Sequence, residues 1–237
     1  MARFVVLIEG NICAGKTTLV KYIQEHKELF QEFIEPGEEV RTIVEFIDHS
    51  WLKLFYKDRK KYSSWFEKSC LIGRIGRHFV AKDHKGLVFF DRGILGGALT
   101  FCKNSFDEGF LRHDQWGEYL QMLRSGLDDL DRSQQDQWLE QLIVYLQVKD
   151  IDTLTRRSKI RSTEGEVIPA DYLQRINGLY EDFISNVNSI YRDYGLKAPE
   201  ILNIDASVEF LNEDAYLKYI VDSIIQRIRG KIKNAGK

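Results

Sequence analysis

Short apolar runs alternate along the chain with longer stretches in which apolar residues recur at helical spacing. The runs Arg3–Ile8, Leu29–Ile34, Leu87–Phe90, Leu142–Val148 and Ile201–Ile204 read as continuous rather than alternating, as strands buried on both faces require. Between them Ser63–Lys85, Phe110–Leu127 and Ala170–Tyr194 carry the helical spacing, and Pro169 stands where a helix can begin. Strand and helix in alternation predict an α/β fold, a five-stranded parallel sheet with helices on both faces. Three prolines, with no low-complexity stretch and no internal repeat, leave residues 1–237 as a single domain.

The first run opens directly into Gly10-Asn11-Ile12-Cys13-Ala14-Gly15-Lys16-Thr17-Thr18, the glycine and lysine spacing of a phosphate-binding P-loop. In such a loop the amides at the start of the following helix point at a phosphate and the helix dipole favours its charge. Lys16 then reaches the β- and γ-phosphates, and the Thr17 hydroxyl is placed to ligate Mg²⁺. A P-loop kinase fold with ATP and Mg²⁺ is the expectation.

Other runs also end in charge. The third strand leads into Asp91-Arg92-Gly93, at the carboxyl edge where open α/β sheets bind ligands. Asp91 suits the Mg²⁺ shell of a bound nucleotide, and Arg92 an oxygen at the reacting centre. The run Leu29–Ile34 ends in Glu35-Pro36, so Glu35 is expected at the same edge as a carboxylate able to accept a hydroxyl proton. Four cations in six positions, Arg156, Arg157, Lys159 and Arg161, follow the fourth strand. They read as a basic lid over about 155–166 that closes on the transferring phosphoryl group, against the alternative of a solvated helix face.

Composition narrows the partners. With 34 basic and 36 acidic residues the net charge is −2, which argues against a broad nucleic-acid surface. Three cysteines form neither a disulfide framework nor a metal-ligand spacing, so a reducing, cytoplasmic setting is expected. No apolar run is long enough to span a bilayer, and the first strand starts too early for a leader segment.

Taken together, VLIEGNICAGKTT, FIEP, LFYKDRKKYSSWFEKSCLIGRI, VFFDRG and TRRSKIRSTE followed by IPADYL resemble the deoxynucleoside kinase family, from residue 5 to about residue 185. The resemblance implies ATP-dependent phosphorylation of a deoxyribonucleoside 5′-hydroxyl in nucleoside salvage, by a homodimer. It makes Glu35 the general base, with Arg92 holding the hydroxyl and the base. Tyr56 and Glu164 fall where the family holds the 3′-hydroxyl, Phe66 and Phe101 where rings flank the nucleobase, and Arg156, Lys159 and Arg161 on the lid.

Two departures bear on substrate choice. Glu67 stands where the family carries a glutamine that grips the base edge, and Gly97 replaces an acidic residue whose usual partner, Arg74, is retained. An ionised Glu67 only accepts hydrogen bonds, so it selects a ring N–H beside a carbonyl, favouring deoxyguanosine or thymidine. Two turns apart on one helix, Glu67 and Arg74 share a face and could equally form a private salt bridge. Two other readings stay open. Glu35-Pro36-Gly37 is similar to a loop of thymidylate kinases, although Ile34 stands where a phosphate-holding arginine is expected, and a non-catalytic nucleotide-binding subunit can use the same fold.

Overall fold

The computed structural model describes residues 4–134, 140–161, 168–208 and 214–235. Strands β1 (Phe4–Gly10), β2 (Glu39–Ile43), β3 (Gly86–Asp91), β4 (Glu140–Gln147) and β5 (Glu200–Asp205) pair in parallel in the order β2-β3-β1-β4-β5. This is the expected α/β sheet, with four of the five apolar runs in place; Arg3 lies outside the described residues.

Alternate side chains of each central strand enter different cores. Phe4, Val6 and Ile8 of β1 join Leu87 and Phe89 of β3 and Leu142, Val144 and Leu146 of β4 on one face. Val5, Leu7, Val88, Phe90, Ile143 and Tyr145 pack on the other. Both sides being covered explains why these strands read as unbroken apolar runs. Helices α1 (Lys16–Glu25) and α10 (Asp214–Ala235) cover the first face. The second carries α3 (Arg59–Val80), α6 (His113–Gln134), α8 (Ala170–Ser185) and α9 (Val187–Asp193). The remaining helices are α2 (His49–Lys57), α4 (Ile94–Gly97), α5 (Lys103–Asp107) and α7 (Ile151–Arg161), with a π-helical turn at Ala98–Cys102 between α4 and α5.

One element departs from expectation. Lys27–Phe33 is a 3₁₀ helix, not a strand: Phe30 and Phe33 are its buried residues, three apart on one face. Glu35-Pro36-Gly37-Glu38 then closes a turn in which the Glu38 amide donates to the Glu35 carbonyl at 2.9 Å and Gly37 takes φ 88°, the proline-then-glycine pattern of a type II turn. The second strand starts only at Glu39, so Glu35 lies before its amino end, at the opposite edge of the parallel sheet from Asp91.

β1 is central, flanked by β3 and β4, and the chain leaves it in opposite directions to build the two halves of the sheet. Crevices at such a reversal, beyond the carboxyl ends of the strands, are where this class of sheet binds ligands.

Candidate active site

Beyond the carboxyl end of β1 the chain makes two left-handed residues, Cys13 (φ 62°) and Gly15 (φ 99°), before α1 begins. No side chain caps α1, so its first-turn amides remain open to a ligand. A Cβ on Gly10 would lie 2.8 Å from the Leu146 carbonyl oxygen, which keeps this position glycine. Asn11 ties the loop to α8: its Oδ1 accepts from the Ile12 amide at 2.7 Å while its Nδ2 donates to the Leu173 carbonyl at 2.8 Å. Ala14 packs into the core, and Thr18 follows in α1. Lys16 is buried and its ammonium donates to the Gly10 and Asn11 carbonyls at 3.0 and 2.8 Å. Burial, reinforced by the positive charge of Arg92, lowers its pKa to about 8.

The Thr17 hydroxyl donates to Asp91 Oδ2 at 2.9 Å, while Asp91 Oδ1 is buried with no hydrogen-bond partner among the described residues. A hydroxyl and a half-satisfied carboxylate beside a phosphate loop form an all-oxygen donor set that fits Mg²⁺, which keeps several waters and phosphate oxygens of its own.

One cavity joins this end to the rest. Ile12, Cys13, Lys16 and Thr17 line it at the loop; Asp91 and Arg92 come from the end of β3. Tyr56 (α2), Phe66, Glu67 and Arg74 (α3), and Phe101 from the π-helical turn form further wall. Arg92 has φ 69°, a left-handed backbone on a non-glycine residue, strain of order ~1–3 kcal/mol that the surroundings must hold. They do so through the Arg92 amide, which donates to the Ile8 carbonyl at 3.0 Å, and through Arg77, whose guanidinium donates to the Asp91 and Arg92 carbonyls at 3.0 and 3.3 Å. The Arg92 head stacks 4.2 Å from the Phe101 ring centroid and donates to Tyr180 Oη at 2.6 Å, which in turn donates to Glu9 at 3.0 Å.

Of Glu35 and Glu45, it is Glu45 that lines this cavity. Glu35 is exposed and absent from the cavity wall, because the Pro-Gly turn holds it at the other edge of the sheet. Glu45 follows the carboxyl end of β2 and receives Arg74 Nε on one oxygen at 2.7 Å and Arg92 Nε on the other at 2.9 Å. Burial alone would raise its pKa; Arg74 and Arg92, with Arg77 behind them, overcome that and hold it at about 2. The signal for Glu45 lies in Val40-Arg41-Thr42-Ile43, a short edge strand whose apolar run is broken by Arg41 and Thr42. Glu9, Tyr180 and Tyr172, another cavity residue, had no motif to mark them.

On the lid segment the structure brings Arg161 and Ser158 to the cavity but not Arg156 or Lys159. Helical periodicity is the reason: α7 turns Leu154, Arg157 and Ser158 inward and leaves Arg156 and Lys159 exposed. Arg157 is buried, with its guanidinium donating to the Ala206 and Val208 carbonyls at 2.9 and 2.7 Å, so this cation is structural. Glu164 and the remainder of the expected lid lie outside the described residues.

Arg74 and Glu67 share a face of α3, yet the salt bridge of Arg74 is with Glu45. Gly97 makes that possible: a Cβ there would sit 2.4 Å from the Arg74 guanidinium. Glu67 instead accepts from Ser105 Oγ at 2.9 Å.

A P-loop, an adjoining oxygen donor pair and an arginine-held carboxylate in one cavity define a nucleotide-dependent phosphotransferase site. The model of the deoxynucleoside kinase family matches residues 6–230, and the chain belongs to that family, whose named relatives are phosphotransferases. It is 25% identical to deoxycytidine kinase 2 of Gallus gallus over 92% of this chain and 88% of the relative. It is 26% identical to deoxyadenosine kinase of Lactobacillus acidophilus over 88% of this chain and 94% of the relative. To human mitochondrial thymidine kinase 2 it is 25% identical, over 77% of this chain and 64% of the relative. Among the described residues no helix is long and apolar enough to cross a membrane, and no cluster of His, Cys, Asp and Glu forms a further metal site.

Proposed function

We propose that this chain transfers the γ-phosphoryl group of ATP to the 5′-hydroxyl of a deoxyribonucleoside. The observation that carries the reading is the single cavity running from the phosphate loop past Glu45 and Arg92 to the rings of Phe66 and Phe101. Lys16 and the α1 amides hold the phosphates, and Arg161 approaches from α7. Thr17 and Asp91 would hold Mg²⁺, which when bound would supply neutralisation of the phosphate charge.

Glu45 orients the attacking hydroxyl. A carboxylate held near 2 is a weak proton acceptor but a good hydrogen-bond acceptor. It therefore aligns the hydroxyl first and takes the proton late, as the phosphoryl group transfers, which suits a loose transition state governed by positioning. Arg92 steadies the same oxygen, and Tyr56 reaches the sugar 3′-hydroxyl. Phe66 and Phe101 sandwich the base, whose edge meets Glu67 and Arg74; an ionised Glu67 there favours deoxyguanosine or thymidine.

We further propose a cytoplasmic homodimer acting in nucleoside salvage. The free cysteines suit a reducing compartment. Exposed Trp65, Ile72 and Val80 along α3 offer an apolar strip for self-association. The test of the function is incubation with ATP and a panel of deoxyribonucleosides and their monophosphates, with products separated by chromatography. New 5′-monophosphates are expected; ATP hydrolysis alone, or phosphorylation of monophosphates only, overturns it.

Two consequences can be measured separately. Lys16 loses its proton above about pH 8, whereas a phosphate ligand requires the ammonium. ATP affinity is therefore expected to fall as pH rises through that value, by up to about tenfold per unit, with proton uptake on binding; affinity unchanged up to about pH 9.5 counts against it. Tyr56→Phe is expected to lower kcat/KM for deoxyribonucleosides by about tenfold and to spare 3′-deoxy analogues. Equal losses on both would detach Tyr56 from the sugar.

A further inference from the structure

Glu67 is a carboxyl group 1% exposed on the α3 wall of the cavity, and the cations around it are engaged elsewhere. Arg74 pairs with Glu45 at 2.7 Å, and Arg59 pairs with Glu108 at 2.5 Å under the ring of Phe110. Among the described residues the Glu67 carboxyl accepts one hydrogen bond, from the neutral Ser105 hydroxyl. A buried carboxylate without a cation of its own is costly, and the usual escape is to hold a proton. Arg74, another residue of the cavity wall, has its Nη1 buried with no hydrogen-bond partner among the described residues, an N–H with a bond still to make.

Taking the cavity as the deoxynucleoside site proposed above, on which this inference rests, we propose that Glu67 reads the nucleobase edge in two protonation states and that base selection switches with pH. Neutral, its O–H donates to a bare ring nitrogen while its carbonyl oxygen accepts from the neighbouring amino group, the edge that cytosine presents. Cytosine also carries a carbonyl for Arg74 Nη1. Ionised, Glu67 accepts from a ring N–H, and Arg74 donates to the carbonyl beside it, the edge of uracil, thymine and guanine.

Burial pushes the Glu67 carboxyl up to about 7, with Ser105 and the charges of Arg74 and Arg59 offsetting only part of that rise. The other groups facing it keep one state around that value. Glu45, after β2, is held ionised, and Arg59 and Arg74 are cations. The thiols of Cys70 on α3 and Cys102 in the π-helical turn, and the phenols of Tyr119 on α6 and Tyr172 on α8, are all pushed up by burial and stay neutral. Among the described residues that face one another at this end of the cavity, Glu67 is thus the group that changes charge near neutral pH.

Deoxycytidine and deoxyuridine are the decisive pair, since they match in size and differ only at this edge. The ratio of their kcat/KM values cancels any titration of the phosphate site or of Glu45. From about pH 5.5 to about pH 8.5 the ratio of deoxycytidine to deoxyuridine is expected to fall by up to about tenfold per unit, and in Glu67→Gln to be flat. Calorimetry in buffers of different ionisation enthalpy gives a check that needs no variant: deoxycytidine takes up a proton on binding above neutral pH, and deoxyuridine releases one below it. A flat wild-type ratio with normal turnover, or the same slope in Glu67→Gln, overturns the switch while leaving the kinase reading intact. Absence of phosphorylation of any nucleoside at any pH overturns both.

Discussion

Glutamine in place of Glu45 is expected to lower turnover by about 10² to 10⁴, while the same change at Glu35 leaves it within about twofold. Glu45 is the carboxylate that the cavity holds between Arg74 and Arg92, so its loss removes the group that aligns the nucleophile. Glu35 is exposed beyond the amino end of β2 and does not line the cavity. The glutamine variant also leaves two buried guanidinium groups facing a neutral amide, and breaking such a pair can cost about 3–5 kcal/mol. Thermal unfolding therefore accompanies the rate measurement. Glu45→Asp separates the two effects: it keeps the charge and draws the oxygens back, so a folded but slow aspartate variant identifies positioning as the cause. Turnover above about half of wild type in a folded Glu45→Gln would remove Glu45 from the reaction, and a collapse in Glu35→Gln would reverse the assignment.

Lys16→Ala is expected to abolish phosphorylation of every nucleoside alike, by about 10² to 10³ or more, the scale of losing one preorganised donor to a transferring group. Without phosphate the Lys16 ammonium bridges the Gly10 and Asn11 carbonyls, so the substitution takes away both the phosphate contact and a brace of the loop. A uniform loss is the informative result, because no part of the phosphate cradle touches the base. A loss confined to some nucleosides, or none at all, would overturn the placement of the phosphate donor at this loop.

Much of the frame is legible in the order of residues along the chain. The central strands carry unbroken apolar runs because both their faces are covered, and the P-loop stands out because its backbone chemistry demands glycines and a lysine at fixed spacing. Asp91 and Arg92 could be placed because Asp91 ends such a strand and Arg92 comes directly after it. Position in a continuous element carries over directly from sequence to space.

The carboxylate proposed to align the hydroxyl did not follow from those rules. Glu35 and Glu45 both come after apolar residues in the same stretch, and their assignment depends on whether Leu29–Ile34 or Glu39–Ile43 is the strand. An edge strand is covered less completely, so β2 buries only Val40 and, broken by Arg41 and Thr42, resembles a loop, while Phe30 and Phe33 bury themselves from a helical turn. The ionic pairing on α3 escaped for a related reason. Glu67 and Arg74 lie on one face of a helix, but Arg74 turns to Glu45 because Gly97, from another element, leaves room for its guanidinium beside the end of β2. The sequence by itself determined the sheet, the phosphate loop and the charges at the end of β3, since each is set by local periodicity or backbone geometry. Which carboxylate enters the cavity, and which of the buried charges is left without a counter-ion, only the tertiary structure decided, because pairing among buried charges depends on side chains that elements far apart in sequence bring within hydrogen-bond distance.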